Sequence, residues 1–376
     1  MVCMNIYLIL FSFILFFSPS ISIFSQEYAL YYPVNDSLQI GLFGAPYASY
    51  SSESGINLGL SILLFEKNLS QNIVAGQYFR MRVDAEYSLE DERGFSIDGK
   101  FPIRSFDTEN KNKNQMLSFD ISYKSAPKTF YGVGGNTNTK DLTNYRKEHY
   151  RFEGNWLIAL LHNIHVGVAW DISGYKNKEI DEAKKGYKFG FDHFYRAFGM
   201  GTVLVLNTKT PNNFPQKGIF YKNELMIYDK ALISDFDFIT LKQEFHYFLP
   251  ISHHVVANQI VSHNTFKNRP FHYLTEQGGA NLMRGFHTGR YLDNQFLGAQ
   301  TEYRSPIFFW RVSGVCFLAS GISYKGKQDF SSENLHFTGG VGLRFAIDKK
   351  ERVNIRADIG FSNEGRQIYL KFNEAF

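Results

Sequence analysis

One arginine in this chain sits where its donors would need matched acceptors. The stretch Gly278-Gly279-Ala280-Asn281-Leu282-Met283-Arg284-Gly285-Phe286, followed by Gly289-Arg290-Tyr291, joins glycine-loosened backbone to a guanidinium and an aromatic ring. A loop of this kind can fold back and carry the planar guanidinium fork into an interior, where it requires a carboxylate. The same composition also fits an exposed glycine-rich hairpin with incidental charge. Other reactive side chains are less well arranged. His246, His253, His254, His263 and His272 cluster in sequence without the cysteine or paired-carboxylate spacing of a metal site, so they read as interfacial or lumenal polar residues. Ser252-His253 and Ser262-His263 are adjacent, which sends the two side chains to opposite faces of a strand and denies the serine its base. Gly132, Gly134 and Gly135 precede no helix-forming segment and make no phosphate loop. The expectation is a protein that is not an enzyme and uses no cofactor or metal.

The elements that would position these residues are strands. Aromatics form 17% of the chain, with 37 Phe and 23 Tyr, while mean hydropathy is −0.25. Residues 1–26 carry no charge and include an apolar run from Ile6 to Phe17, too short to span a bilayer comfortably and followed by small residues. That pattern predicts a signal peptide over 1–26, although no Lys or Arg precedes the apolar run. Cys3 lies ahead of it, leaving Cys316 alone beyond it, so no internal disulfide is expected. No later run is long enough for a membrane helix. Many rings at low hydropathy suit a transmembrane β-barrel, whose strands alternate lipid-facing apolar residues with polar lumen residues between aromatic girdles. The net charge of +4, with both signs interspersed, gives no case for nucleic acid.

Period-two alternation supports this class. Val353, Ile355, Ala357, Ile359 and Phe361 share one face, and Asn354, Arg356, Asp358, Gly360 and Ser362 the other. Sixteen such segments can be placed between residue 38 and residue 376. The fold class predicted is all-β, a transmembrane antiparallel barrel of about 16 strands over 27–376, with an external loop folded into the lumen. The long connections at Ala126–Arg146, Lys176–Tyr195, Lys267–Asp293 and Tyr324–Asn334 follow odd-numbered strands and would be external. About ten residues lie between Glu27 and the first strand by this count, so no periplasmic domain is expected. The lysine-rich regions Lys176–Lys188 and Lys140–Arg151 could meet lipopolysaccharide phosphates outside, although charged loops are usually only solvated.

Several runs carry a family resemblance: HHVVANQIVSHNTF, RPFHYLTEQGGANLMRGF, GRYLDNQFLGAQTEYRSPI and VCFLASG between His253 and Gly321, then GVGLRF and the closing IRADIGFSNEGRQIYLKFNEAF. Together they resemble the carboxy-terminal half of the BamA/TamA-like superfamily, the bacterial surface antigen family, whose barrels insert or translocate proteins at outer membranes. FGAPYASYSSESGINLGL and FYGVGGNT extend the likeness more weakly to the front. The resemblance implies that Met283-Arg284-Gly285-Phe286 is the family's lumen-loop motif, between the eleventh and twelfth strands. It implies Glu302 as the acidic partner of Arg284, on a face with Gln300 and Arg304, with Asp358 as a further candidate.

Three features depart from the family. Ala319 stands where relatives carry an aspartate. Asn207-Thr208-Lys209 replaces an aspartate and arginine. No docking domains, called POTRA, are expected ahead of the barrel. The aromatic end at Phe376 resembles an outer-membrane assembly signal, with Glu374 breaking its apolar pattern. The resemblance further implies a lateral seam between the first and last strands, joining residues near Gln39 and Tyr50 to residues near Arg366 and Phe376. The expected function is insertion or translocation of proteins at the bacterial outer membrane, acting on unfolded outer-membrane proteins with a separate periplasmic partner. The alternative is a passive channel or structural barrel.

Overall fold

The computed structural model describes residues 30–35, 38–51, 54–67, 79–103, 115–178, 194–211, 214–267, 271–348, 353–372 and 374–376. The span expected to be a signal peptide, 1–26, lies outside them, as does most of the lysine-rich region 176–188.

Sixteen antiparallel strands close into one barrel. The first eleven, in chain order, are β2 (Leu38–Ser51), β3 (Gly55–Lys67), β4 (Arg80–Ser88), β5 (Arg93–Ile103), β6 (Gln115–Phe130), β7 (Thr143–Leu161), β8 (Ile164–Lys178), β9 (Phe194–Asn207), β10 (Gly218–Tyr228), β11 (Phe238–Ile251) and β12 (His254–Lys267). The remaining five are β15 (Gln295–Arg304), β16 (Val312–Tyr324), β17 (Leu335–Asp348), β18 (Val353–Ser362) and β19 (Gly365–Phe372). Three short strands are additional. β1 (Leu30–Asn35) pairs with β2, while β13 (Thr275–Gln277) and β14 (Tyr291–Asp293) form a two-stranded ribbon inside the connection between β12 and β15. Among the described residues no helix is long and apolar enough to cross a membrane, which says nothing of a barrel, since a barrel crosses with strands.

The two faces of the wall follow the alternation. On β18, Asn354, Arg356 and Asp358 are buried while Ile359 and Phe361 are exposed. On β16 and β17, Leu318, Phe337, Val341 and Leu343 point outward while Phe317, Ala319 and Arg344 point inward. An apolar exterior around a charged interior is the inverse of a water-soluble fold and is what a hydrocarbon solvent demands of a barrel.

Among the described residues, the seam is paired over a much shorter stretch than the rest of the wall. Other wall ladders run from eight residue pairs, as between β4 and β5, to sixteen between β6 and β7. Among the described residues, the ladder closing the barrel, β19 to β2, has two pairs, Tyr369 with Ser51 and Leu370 with Tyr50. Farther down the same strand, Leu30–Asn35 of β1 pairs with Leu38–Leu42. The expected seam is thereby corrected in extent. Tyr50 lies in it, but Gln39 pairs with Pro33 and Lys67, and Arg366 pairs with Phe361 inside the last hairpin. Phe376 lies beyond β19 altogether.

Beyond β19 the chain end is held at the polar residue that breaks the terminal apolar pattern. Glu374 accepts from Arg344 Nε at 2.7 Å and from Asn354 Nδ2 at 2.7 Å, drawing the chain end into the lumen. Phe376 then rests against Phe248, His246 and the Arg304 guanidinium.

Candidate functional site

The connection between β12 and β15 enters the barrel and is fixed there by charge. Its descent requires unusual backbone: Gly285 has φ 126°, and Met283 φ 57°. A Cβ on Gly285 would lie 2.8 Å from the main chain of Phe361 on β18, so the loop approaches the wall as closely as glycine permits. Met283 and Phe286 fill an apolar seat with Val261, Phe296 and Ala319, and all are buried. Ala319, which takes the place of an expected acid, thus supplies room for the two apolar flanks of the arginine.

Arg284 is fully buried and reaches both predicted carboxylates. Its Nη1 donates to Asp358 Oδ2 at 2.8 Å, and its Nη2 to Glu302 Oε2 at 2.6 Å. The guanidinium also stacks over Phe317, 3.5 Å from the ring centre. The structure therefore brings together Met283, Arg284, Gly285, Phe286, Glu302 and Asp358.

The carboxylates are shared more widely than the sequence suggested. Arg304 Nε donates to the other oxygen of Glu302 at 2.8 Å, and Arg344 Nη1 to the other oxygen of Asp358 at 2.5 Å. Arg356 meets Asp358 at 3.1 Å and also the loop itself, through the Ala280 carbonyl and the Asn281 side chain. Four arginines and three carboxylates, counting Glu374, make one buried network across β15, β17, β18 and the chain end. Such a network is worthwhile only as a unit, because each charge stranded inside would cost several kcal/mol (about 3–5). Arg344 lies in the GVGLRF run, but its role was not drawn from the sequence, because its position opposite Arg356 emerges only from the register of β17 on β18.

The loop has a second anchorage on the opposite wall. Tyr273 donates to Asp171 Oδ2 on β8 at 3.1 Å, beside Tyr228 at 2.7 Å and Ser173 at 2.5 Å. Arg151 supplies the counter-charge, with Nε 3.2 Å from Asp171. His272 stacks on Tyr175 with ring centres 4.8 Å apart, and burial drives its pKa down to about 2, so the ring stays neutral. Burial raises the Glu276 carboxyl, yet the Lys147 and Lys128 ammonium groups outweigh it and hold the group below the usual range. Below this crossing the lumen retains a cavity of about 190 Å³ bordered by Asp98, Lys100, Asp120, Glu153, Lys222 and Glu224.

The clustered histidines do not converge. His246 bonds to Glu244 at 2.7 Å, His254 to Tyr303 at 2.6 Å, and His272 belongs to the aromatic stack. Among the described residues, no group of three or more His, Cys, Asp or Glu could hold a metal ion. Lys209, the altered position after the eighth wall strand, lies over the Phe220 ring at 4.5 Å.

A closed barrel whose lumen is crossed by a loop held on buried arginine–carboxylate bonds defines a plugged outer-membrane barrel. The chain belongs to the Omp85 superfamily, whose domain it matches over residues 75–373. The fold is similar to BamA from Haemophilus ducreyi lacking POTRA domains 1-3, at 14% identity and TM-score 0.60, with 90% of this chain and 70% of that one covered. It is also similar to CdiB from Acinetobacter baumannii at 8% identity, 89% and 60% coverage and TM-score 0.55. CdiB from Escherichia coli gives 10%, 88%, 62% and 0.56. The chain thus spans about six-tenths of the length of the two CdiB chains. No curated protein sequence matches it.

Proposed function

We propose that this barrel assists the insertion or translocation of proteins at the bacterial outer membrane by offering the edge of β2 to an incoming strand. The observation that carries the proposal is that, among the described residues, β19 and β2 form a two-pair ladder, against eight or more pairs in the other wall ladders. A strand edge held by so few bonds is the element of a barrel most readily opened, and pairing at such an edge is β-augmentation. The substrates would be unfolded outer-membrane proteins, delivered by a separate periplasmic partner, with both chain ends on the periplasmic side and loop tips toward lipopolysaccharide.

The test is to refold the chain into liposomes with Cys316→Ser, Tyr50→Cys and Leu370→Cys, and follow insertion of a denatured small outer-membrane barrel. Acceleration when the pair is reduced and none when it is oxidised is the expected result. Equal acceleration in both states would overturn the proposal.

The charged cavity below the loop favours a second reading, a passive channel. Steady ion flux through sealed liposomes without any insertion activity would select it.

A further inference from the structure

Arg290, six residues beyond the lumen arginine, is held by several partners at the rim opposite the chain ends. Although it stands where solvent is near, it is 2% exposed. Its Nε lies 2.7 Å from both oxygens of Glu364, and its Nη2 lies 2.6 Å from one of them. Nη1 donates to Thr137 Oγ1 and Nη2 to the Thr137 carbonyl, each at 2.7 Å. Tyr131 and Tyr291 cover the guanidinium with ring centres at 4.7 and 4.3 Å. Three connections therefore meet on one cation: the lumen loop, the loop 131–142, and the two-residue turn between β18 and β19.

That turn belongs to the hairpin that closes the barrel. Among the described residues, β19 has eight pairs with β18 on one side and two with β2 on the other. The lumen loop also grips this hairpin lower down, where Tyr369 donates its hydroxyl to the Phe286 carbonyl at 3.2 Å and Ser362 donates to the Gly285 carbonyl at 2.9 Å. The two β19–β2 pairs lie at Tyr369 and Leu370, on the same short strand that leaves the Glu364 turn, too near for the turn to move without disturbing them.

We propose that Arg290 and Glu364 form a latch at this rim that holds the closing hairpin, and with it the β19–β2 seam, against the lumen loop. Both are positioning residues: neither lies at the strand edge, and each acts through the hairpin it fixes. The latch deepens the proposal above, since it would set how readily the edge is offered.

The test reads the seam without any substrate, so its failure is distinct from a failure of insertion activity. In the folded barrel carrying Cys316→Ser, Tyr50→Cys and Leu370→Cys, disulfide formation under mild oxidant reports how long β19 stays on β2. Arg290→Ala and Glu364→Gln should each slow it roughly fivefold, with the double variant little slower than either, as expected of directly coupled partners. Should Arg290→Ala fail to give the compact form on an unheated gel, Glu364→Gln, which keeps side-chain shape, decides the matter. Unchanged disulfide rates in a folded Glu364→Gln barrel would overturn the latch.

Discussion

Gly360 lies directly against the main chain of Arg284: a Cβ on Gly360 would stand 2.7 Å from the Gly285 nitrogen and collide with the Arg284 carbonyl. The plug is therefore seated on β18 by backbone contact as well as by charge. Gly360→Val should lift the loop from its seat, costing about 1–3 kcal/mol as overpacking does in other interiors. Protease cleavage within residues 278–290 should rise, and the temperature at which the barrel loses its compact gel form should fall. A Gly360→Val barrel with the same cleavage and heat resistance as the parent would show that the loop seat tolerates a side chain.

The charge imbalance of the network predicts which of its members matters most. Removing Glu302 or Asp358 leaves four arginines facing two acids, whereas removing Arg284 leaves three facing three. Glu302→Ala and Asp358→Ala should each destabilise by about 3–5 kcal/mol, the cost of stranding a buried partner. Arg284→Ala should cost less, and Arg284→Ala combined with Glu302→Ala less than the sum of the single changes. Heat-modified gel mobility across a temperature series measures all four, and a larger loss for Arg284→Ala than for either acid would refute the balance argument.

Much of this architecture was legible because a barrel writes its lumen into every second residue. Alternation in Val353–Ser362 separates Ile359 and Phe361 from Arg356 and Asp358, and the structure keeps that division. The lumen loop was legible only with the family resemblance beside it, because its glycines and its arginine, which a close wall contact and a buried charge require, fit an exposed hairpin as well. What alternation does not encode is the partner across the lumen. Asp171, which receives Tyr273, and Arg344, which binds three carboxylates, look like ordinary inward polar residues of β8 and β17. β1 was missed because Pro33 lies within it and its alternation is too short to register. Glu374 looked like a flaw in a terminal strand only because the strand was assumed to run to the end.

Glu374 therefore supplies its own test. Its two bonds, to Arg344 and Asn354, are what turn the last residues inward and seat Phe376 on Phe248 and Arg304. Glu374→Ala should release the chain end, so carboxypeptidase should remove Phe376 severalfold faster than from the parent barrel at the same temperature. Lengthening of the β19–β2 ladder is also expected, because the tail no longer pulls away from the wall. In the barrel that also carries Cys316→Ser, Tyr50→Cys and Leu370→Cys, the disulfide across the seam should then form faster. An unchanged rate of Phe376 release would mean that the contacts of Phe376 itself, its ring packing and the bond from Arg304 Nη2 to its main-chain oxygen at 3.1 Å, hold the tail without Glu374.

The turn between β15 and β16 exposes Phe308, Phe309 and Trp310 at 63%, 69% and 66%, at the same rim as the chain ends. Three consecutive rings in a turn are costly in water, but here the outward residues Tyr303 of β15 and Leu343 of the neighbouring β17 continue the apolar surface down the wall. Trp310 packs edge-on against Phe345, 5.5 Å between ring centres, which fixes the turn along the barrel exterior instead of letting it project from the rim. That geometry belongs to an interfacial girdle, where an amphipathic ring gains from resting at the headgroup level. With Trp156→Phe and Trp170→Phe, Trp310 becomes the sole indole of the chain, which has three. Its fluorescence in liposomes should be quenched strongly by phospholipids brominated near the headgroup and weakly by acrylamide in the buffer. Strong acrylamide quenching without bromine quenching would place the turn in water, and the three rings would then be exposed for a protein partner instead of a lipid surface.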